Sequence, residues 1–341
     1  MQANEHILVI RFSSMGDVAM TVPVISNVLR QNPSIHITVV SNSFFSPLFE
    51  GLERCHFYPA YLKEQHGGLA GIFRLYQELS GLKDFQAVVD LHCVLRSHLL
   101  SSLFKLKAIK TATLDKGRKE KKKLTRKIKK DCRQLTPMHE RYARVFRSAG
   151  IAVDLRLNEP VFGKRPLPVN LQAIFSPAKK IIGVAPFAQY QEKMYPLDLT
   201  RKVVQHLAAA NNTVLLFGGG QKEAAILSGW EASSVFNMAG KYSFAVELAI
   251  ISNLDIMVSM DSANMHLASL FNVPVISVWG ATHRFAGFYG WGQQEENIVE
   301  TELYCRPCSV FGNKPCYRGD HACMELIAAE AIIDKVIAAK I

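Results

Sequence analysis

Three short stretches hold residues whose types and spacing could do chemistry. The first is RFSSMGDVAM, residues 11–20, which follows the apolar run ILVI and carries one acidic residue, Asp17. A carboxylate at that point has two uses. It can cap the helix that begins at VAMTV, or it can act as a general base in a loop at the end of a strand. The single Gly16 does not reproduce the G-x-G-x-x-G spacing that lets a backbone approach a dinucleotide pyrophosphate, which argues against a dehydrogenase.

The second stretch is SMDSANMHLASLFNVPVISVWGATH, residues 259–283. It reads as a strand, a helix start at Asp261, Ser262 and Ala263, a helix bearing His266, and a further strand. The free N–H groups and partial positive charge of a helix N-terminus suit a diphosphate, and the Ser262 hydroxyl adds a donor. The structural alternative is that Asp261 or Ser262 only caps the helix and His266 is an ordinary helix residue. A carboxylate beside a diphosphate repels it, so a functional Asp261 binds a sugar hydroxyl or orients backbone. The third stretch, APFAQYQEKMYPLD at 185–198, places Lys193 just before a helix start, where it reaches a phosphate as a point charge or stays on the surface. FGGGQKE at 217–223 is a glycine-rich turn that permits close backbone approach to a ligand.

A fourth segment, CRPCSVFGNKPCYRGDHAC, contains Cys305, Cys308, Cys316 and Cys323 together with His321. C-x2-C followed by two more cysteines predicts a structural zinc site, although the second spacing, C-x6-C, is wider than the usual knuckle. Reduced cysteines filling a loop core, or a redox-labile pair, are the alternatives.

These motifs need elements to position them. Apolar runs at 7–10, 36–40, 56–60, 87–91, 180–186, 213–219, 256–259 and 274–280 alternate with helical patterns, including 199–210, 223–230, 244–252 and 262–271. That alternation predicts parallel sheets in an α/β protein with two Rossmann-like halves joined near 163–178. The domains expected are 1–165 and 176–325, followed by a C-terminal helix over 326–341. At 341 residues and 49% apolar content, two cores are affordable. No stretch reads as an export signal or a membrane span, so a cytoplasmic address is expected, and the odd count of 7 cysteines agrees with reduced thiols or a metal site.

The net charge of +11 is concentrated: KGRKEKKKLTRKIKKDCR, Lys116–Arg133, holds eleven Lys or Arg against Glu120 and Asp131. One reading is a solvated segment. The other is an arm for an anionic glycolipid or membrane surface at the inner face of the inner membrane. The segment has no aromatic residue for base stacking, so nucleic acid is not the expected anion, and a non-enzymatic RNA-binding module is the rival class.

Taken jointly, ILVIRFSSMGDVAMTVPVI, Lys193 ahead of Tyr195-Pro196, and VSMDSANMHLASLFNVPVISVWGAT resemble the ADP-heptose:lipopolysaccharide heptosyltransferases, glycosyltransferase family nine. The resemblance implies a GT-B fold with two Rossmann-like domains facing a cleft. The N-terminal domain binds a lipopolysaccharide core or related glycolipid acceptor, and the C-terminal domain binds an ADP-heptose-like nucleotide sugar. It further implies inversion at the anomeric carbon with no cofactor or metal in catalysis. By the same resemblance Asp17 is the catalytic base, held in the loop Ser13, Ser14, Met15 and Gly16. Lys193 contacts the donor phosphates; Asp261, Ser262, Ala263 and His266 form the donor motif, with Ala263 where the family has Gly. Glu223 and the GKYS turn at 240–243 lie where relatives contact ribose and adenine. Another nucleotide sugar is the alternative donor.

Overall fold

A computed structural model describes residues 5–156, 159–175 and 178–339. The chain divides into two compact units, residues 1–118 with 136–161, and residues 119–135 with 162–341.

The first unit is built on a five-stranded, all-parallel sheet of order β3-β2-β1-β4-β5. Its strands are β1 (Glu5–Ile10), β2 (Ile35–Asn42), β3 (Cys55–Ala60), β4 (Phe85–Asp90) and β5 (Lys110–Thr113). Ile7, Leu8, Val9 and Ile10 are all buried, since a central parallel strand is covered by helices on both faces and reads as an unbroken apolar run. The helix Met15–Gln31 follows β1 and contains Pro23, and the Asn27 side chain donates to the Pro23 carbonyl at 2.9 Å. The core of this unit gathers Leu8, Ile10, Val40, Val88, Leu100 and Phe104 among others.

The second unit has a six-stranded parallel sheet of order β11-β10-β9-β6-β7-β8. The strands are β6 (Ile181–Ala185), β7 (Thr213–Leu216), β8 (Val235–Asn237), β9 (Ile256–Met260), β10 (Val275–Trp279) and β11 (Ile298–Glu300). Gly183 in β6 packs tightly: a Cβ there would stand 2.6 Å from Leu254 Cδ1, so that side chain would have to shift. The C-terminal helix expected over 326–341 is observed as Ala329–Ala338, and residues 340–341 lie outside the described residues.

The strand runs read from the sequence all appear, whereas β5, β8 and β11 were not expected. All three are short, and β5, β8 and β11 are edge strands. The domain division differs from the expected one. Phe162 N–H donates to the Leu270 carbonyl at 3.1 Å, so the second unit begins before residue 165. Residue 176 lies outside the described residues. The basic segment also belongs largely to the second unit. Leu124 and Leu135 bury with Ala286 against Phe285, Phe288 and Val310, and Leu135 N–H donates to the Phe285 carbonyl at 2.9 Å.

Candidate active site

In each sheet the strand order reverses at one place, between β1 and β4 in the first and between β6 and β9 in the second. Helices leave to opposite sides at such a reversal, so the loops beyond the strand ends part and leave a ligand crevice. The loops after β1, β4, β6 and β9 carry the candidate residues.

In the first unit Ser14 is the N-cap of the helix Met15–Gln31 and Asp17 lies in its first turn. Asp17 is therefore not the cap. Its Oδ2 accepts from Ser14 Oγ at 2.8 Å and ion-pairs with Arg11 Nη2 at 2.6 Å. Arg11 is buried, and its Nη1 donates to the Leu91 carbonyl at 2.7 Å, which ties the base loop to the loop after β4. An acidic group in the first turn also complements the helix dipole. The carboxylate is thus held by two side chains of its own unit. Ser13, Met15 and Gly16 form the turn that carries it, with Met15 and Gly16 already helical.

The loop after β4 adds groups that the sequence motifs did not single out. Asp90, fully buried at the end of β4, accepts from the N–H groups of His92 and Cys93 at 2.9 Å each and from Ser97 Oγ at 2.9 Å. His92 Nδ1 accepts from Phe12 N–H at 3.4 Å. Burial pushes the His92 imidazole down to about 3, with the positive charges of Arg11 and then Lys116 adding to the effect and Asp17 opposing it. Burial likewise lowers Lys116, again with help from Arg11.

In the second unit Lys193 Nζ pairs with Asp261 Oδ2 at 2.9 Å, and the same oxygen accepts from Thr282 Oγ1 at 2.8 Å. Both partners are largely buried, with side chains 14% and 8% exposed, so the pair is shielded from bulk solvent. Neither capping alternative describes Asp261, because Ser262 is the N-cap of the helix Ala263–Leu270 and makes no side-chain capping bond. Ser262 Oγ instead shares a hydrogen bond with Ser259 Oγ at 3.1 Å. Ala263 is the first helical residue and is not in the left-handed region, so an alanine sits there without strain. His266 is buried on the same helix.

Glu223 stands in the first turn of the helix Gly220–Ser228. Its Oε2 accepts from Gly219 N–H at 2.6 Å, so the carboxylate turns back on the start of its own helix, Gly220–Ser228, and steadies the glycine turn. The GKYS turn ends in Ser243, which caps the helix Phe244–Ser252 by accepting from Val246 N–H at 3.4 Å.

Cys305, Cys308, Cys316, Cys323 and His321 do converge, lining one cavity with Arg306, Tyr317, Arg318 and Asp320. All four cysteines are free thiols. Among the described residues, however, no three His, Cys, Asp or Glu side chains stand in an arrangement that could hold a metal ion. Burial raises Cys308 and pushes Cys323 up to about 11. The residues expected as zinc ligands thus share one cavity.

The basic segment is wired to this loop. Lys130 Nζ donates to the carbonyls of Cys305 and Pro307 at 2.6 and 2.9 Å. Lys121 lies 4.2 Å from the centroid of the Phe288 ring and Lys127 4.6 Å from that of Tyr317.

Two doubly wound parallel units, each with charged groups gathered at its switch point, define a two-domain α/β protein. The chain belongs to glycosyltransferase family 9 (heptosyltransferase), whose family model matches residues 72–315. Lipooligosaccharide heptosyltransferase 2 of Campylobacter jejuni is 24% identical over 182 residues, 51% of this chain and 56% of that protein. The chain thus spans about half the length of the curated relatives it matches. Among solved structures, a family 9 glycosyl transferase from Veillonella parvula superimposes with a TM-score of 0.74 at 16% identity, covering 99% of this chain and 97% of the other. The E. coli heptosyltransferase WaaC with ADP gives 0.67 at 17% identity, covering 97% and 99%. The GT-B fold class expected from the sequence is the class of these structures.

Two predictions follow from the charges. Below the free imidazole value of 6.5 the unfolded chain binds a proton that folded His92 refuses until about pH 3, so His92 costs stability as pH falls through that window. His92→Gln should flatten the decline in denaturant midpoint between pH 6.5 and 4, and parallel curves for the two proteins would reject the assignment. Lys193→Met should cost about 3 kcal/mol by stranding the Asp261 charge, and adding Asp261→Asn should recover most of it. Denaturant melts of the single and double variants check this.

Proposed function

We propose that this chain is an inverting, metal-independent glycosyltransferase. In this reading it moves a heptose-type sugar from an ADP-sugar to a hydroxyl of a lipopolysaccharide core or related glycolipid. The observation that carries the proposal is the Lys193–Asp261 pair, set at the start of the helix Ala263–Leu270 and at the reversal of the second sheet. Membership of the heptosyltransferase family supports it, as does a fold neighbour solved with ADP.

The chemistry needs a base and a stabilised leaving group. A sugar hydroxyl is too weak an acid to attack unaided, so Asp17 takes its proton as the anomeric carbon gains oxocarbenium character. Arg11 and Ser14 fix the carboxylate before the acceptor arrives, which limits reorganisation at the moment of transfer. The departing ADP gains negative charge. Lys193 and the N–H groups at the helix start meet it, with Asp261 holding Lys193 in place beforehand and His266 on the same helix. Glu223 holds the glycine turn through Oε2 and contributes to the donor site from the start of its helix.

Asp17→Asn should lower turnover at least a thousandfold while changing ADP affinity less than twofold, measured by product mass and calorimetry; retention of substantial turnover would remove Asp17 as the base. In the same reading ADP stabilises the protein against heat more than GDP, UDP or RNA does, and turnover persists in EDTA.

Peripheral contact with an anionic membrane surface, in the cytoplasm, completes the proposal. Among the described residues no helix is long and apolar enough to cross a membrane. Lys119, Lys122, Lys123 and Arg126 are exposed, and Ile128 is 80% exposed beside them. Such cations gain about 1 kcal/mol each near an anionic surface. The protein should sediment with phosphatidylglycerol vesicles at low salt, and replacing those four cations with Gln should abolish it; undiminished sedimentation would contradict the membrane role.

A further inference from the structure

The cysteine-rich loop contains a turn, Ser309–Asn313, that bears on the donor-site lysine. Gly312 adopts φ +77°, and a Cβ added there would stand 2.6 Å from Lys193 Cδ and closer still to Cγ. The lysine stem therefore runs directly across the bare glycine backbone, and no other residue fits without displacing it.

The turn itself is braced. Ser309 is fully buried; its Oγ accepts from Gly312 N–H at 2.9 Å and Phe311 N–H at 3.3 Å and donates to Asn313 Oδ1 at 3.0 Å. Its backbone N–H and that of Cys308 donate to the Ala281 carbonyl at 3.2 and 3.0 Å, while Ala281 N–H donates to the Glu192 carbonyl at 3.3 Å. These bonds close a ring: Lys193 and its neighbour Glu192, then Ala281, then Ser309, then Gly312, then the Lys193 stem again. The next residue after Ala281 is Thr282, whose hydroxyl holds Asp261. Buried Arg306 fastens the same stretch, with Nε donating to the Gly280 carbonyl at 2.6 Å and Nη2 to the Thr282 carbonyl at 3.2 Å. One loop thus fixes both members of the Lys193–Asp261 pair.

We propose that Gly312 and Ser309 are positioning residues for Lys193, forming a clamp that holds its ammonium where the diphosphate of the nucleotide sugar binds. The proposal rests on the donor-site reading of Lys193. A free lysine side chain surrenders considerable rotamer entropy when it engages a ligand, and the clamp removes that cost before the ligand arrives.

The experiment measures ADP binding by calorimetry on the full chain carrying Gly312→Ala, Ser309→Ala, Lys193→Ala, or the pair Gly312→Ala with Lys193→Ala. Ser309→Ala loosens the turn without adding bulk, so it reports even where Gly312→Ala folds poorly. Both clamp variants should weaken ADP binding about tenfold, and Gly312→Ala should add less than twofold once the Lys193 stem is gone, the coupling expected of residues in contact. Unchanged affinity in both clamp variants overturns the proposal, and so does an equal loss with and without the lysine stem, which marks a purely structural role. If Lys193→Ala itself binds ADP as the parent does, the donor-site reading fails and the clamp proposal fails with it.

Discussion

A parallel sheet that is covered on both faces can receive a ligand only at its strand ends, and best where its strand order turns back. That constraint organises this chain twice. The loops after β1 and β4 gather Arg11, Asp17, His92 and Lys116, and the loops after β6 and β9 gather Lys193, Asp261 and Ser262. Charged side chains occur at these places because the reversal leaves them room; elsewhere the central strands are mostly apolar and buried.

Each cluster is organised around a close ion pair. Arg11 reaches from the end of β1 to Asp17 in the following helix, while its other nitrogen is bound to a backbone carbonyl after β4. Lys193 meets Asp261 across two loops, with Thr282 bound to the same oxygen. A buried pair of this kind adds little net stability, yet removing either partner is costly, so its main effect is to fix position. Fixed charges suit the transfer proposed above, since electrostatic stabilisation is most effective when the groups need not reorganise as charge develops.

Much of this was legible in the sequence because the central strands are buried on both faces and therefore appear as uninterrupted apolar runs, as in ILVI and IMVS. The edge strands β5, β8 and β11 were not legible: KTAT, VFN and IVE are too short for a pattern, and pairing on one side defines them. Asp17, Lys193 and Asp261 could be located by their place after strands, but not Thr282 or His92, which join these loops only through the sheet. Nor could the sequence show that Glu223 turns back on Gly219, or that four cysteines would line one cavity. The basic segment looked like part of the first domain by position. Its assignment to the second depends on where Leu124 and Leu135 find apolar partners, which no local pattern records.

The central claim is that the nucleotide of the donor is held by the second unit's switch-point loops, with the Asp17 loop reserved for the acceptor. Amide hydrogen exchange with and without ADP tests it most directly. The account predicts slowed exchange over 190–194 and 261–266 and no change over 11–18. Protection confined to 11–18, with 190–194 and 261–266 unaffected, would contradict it.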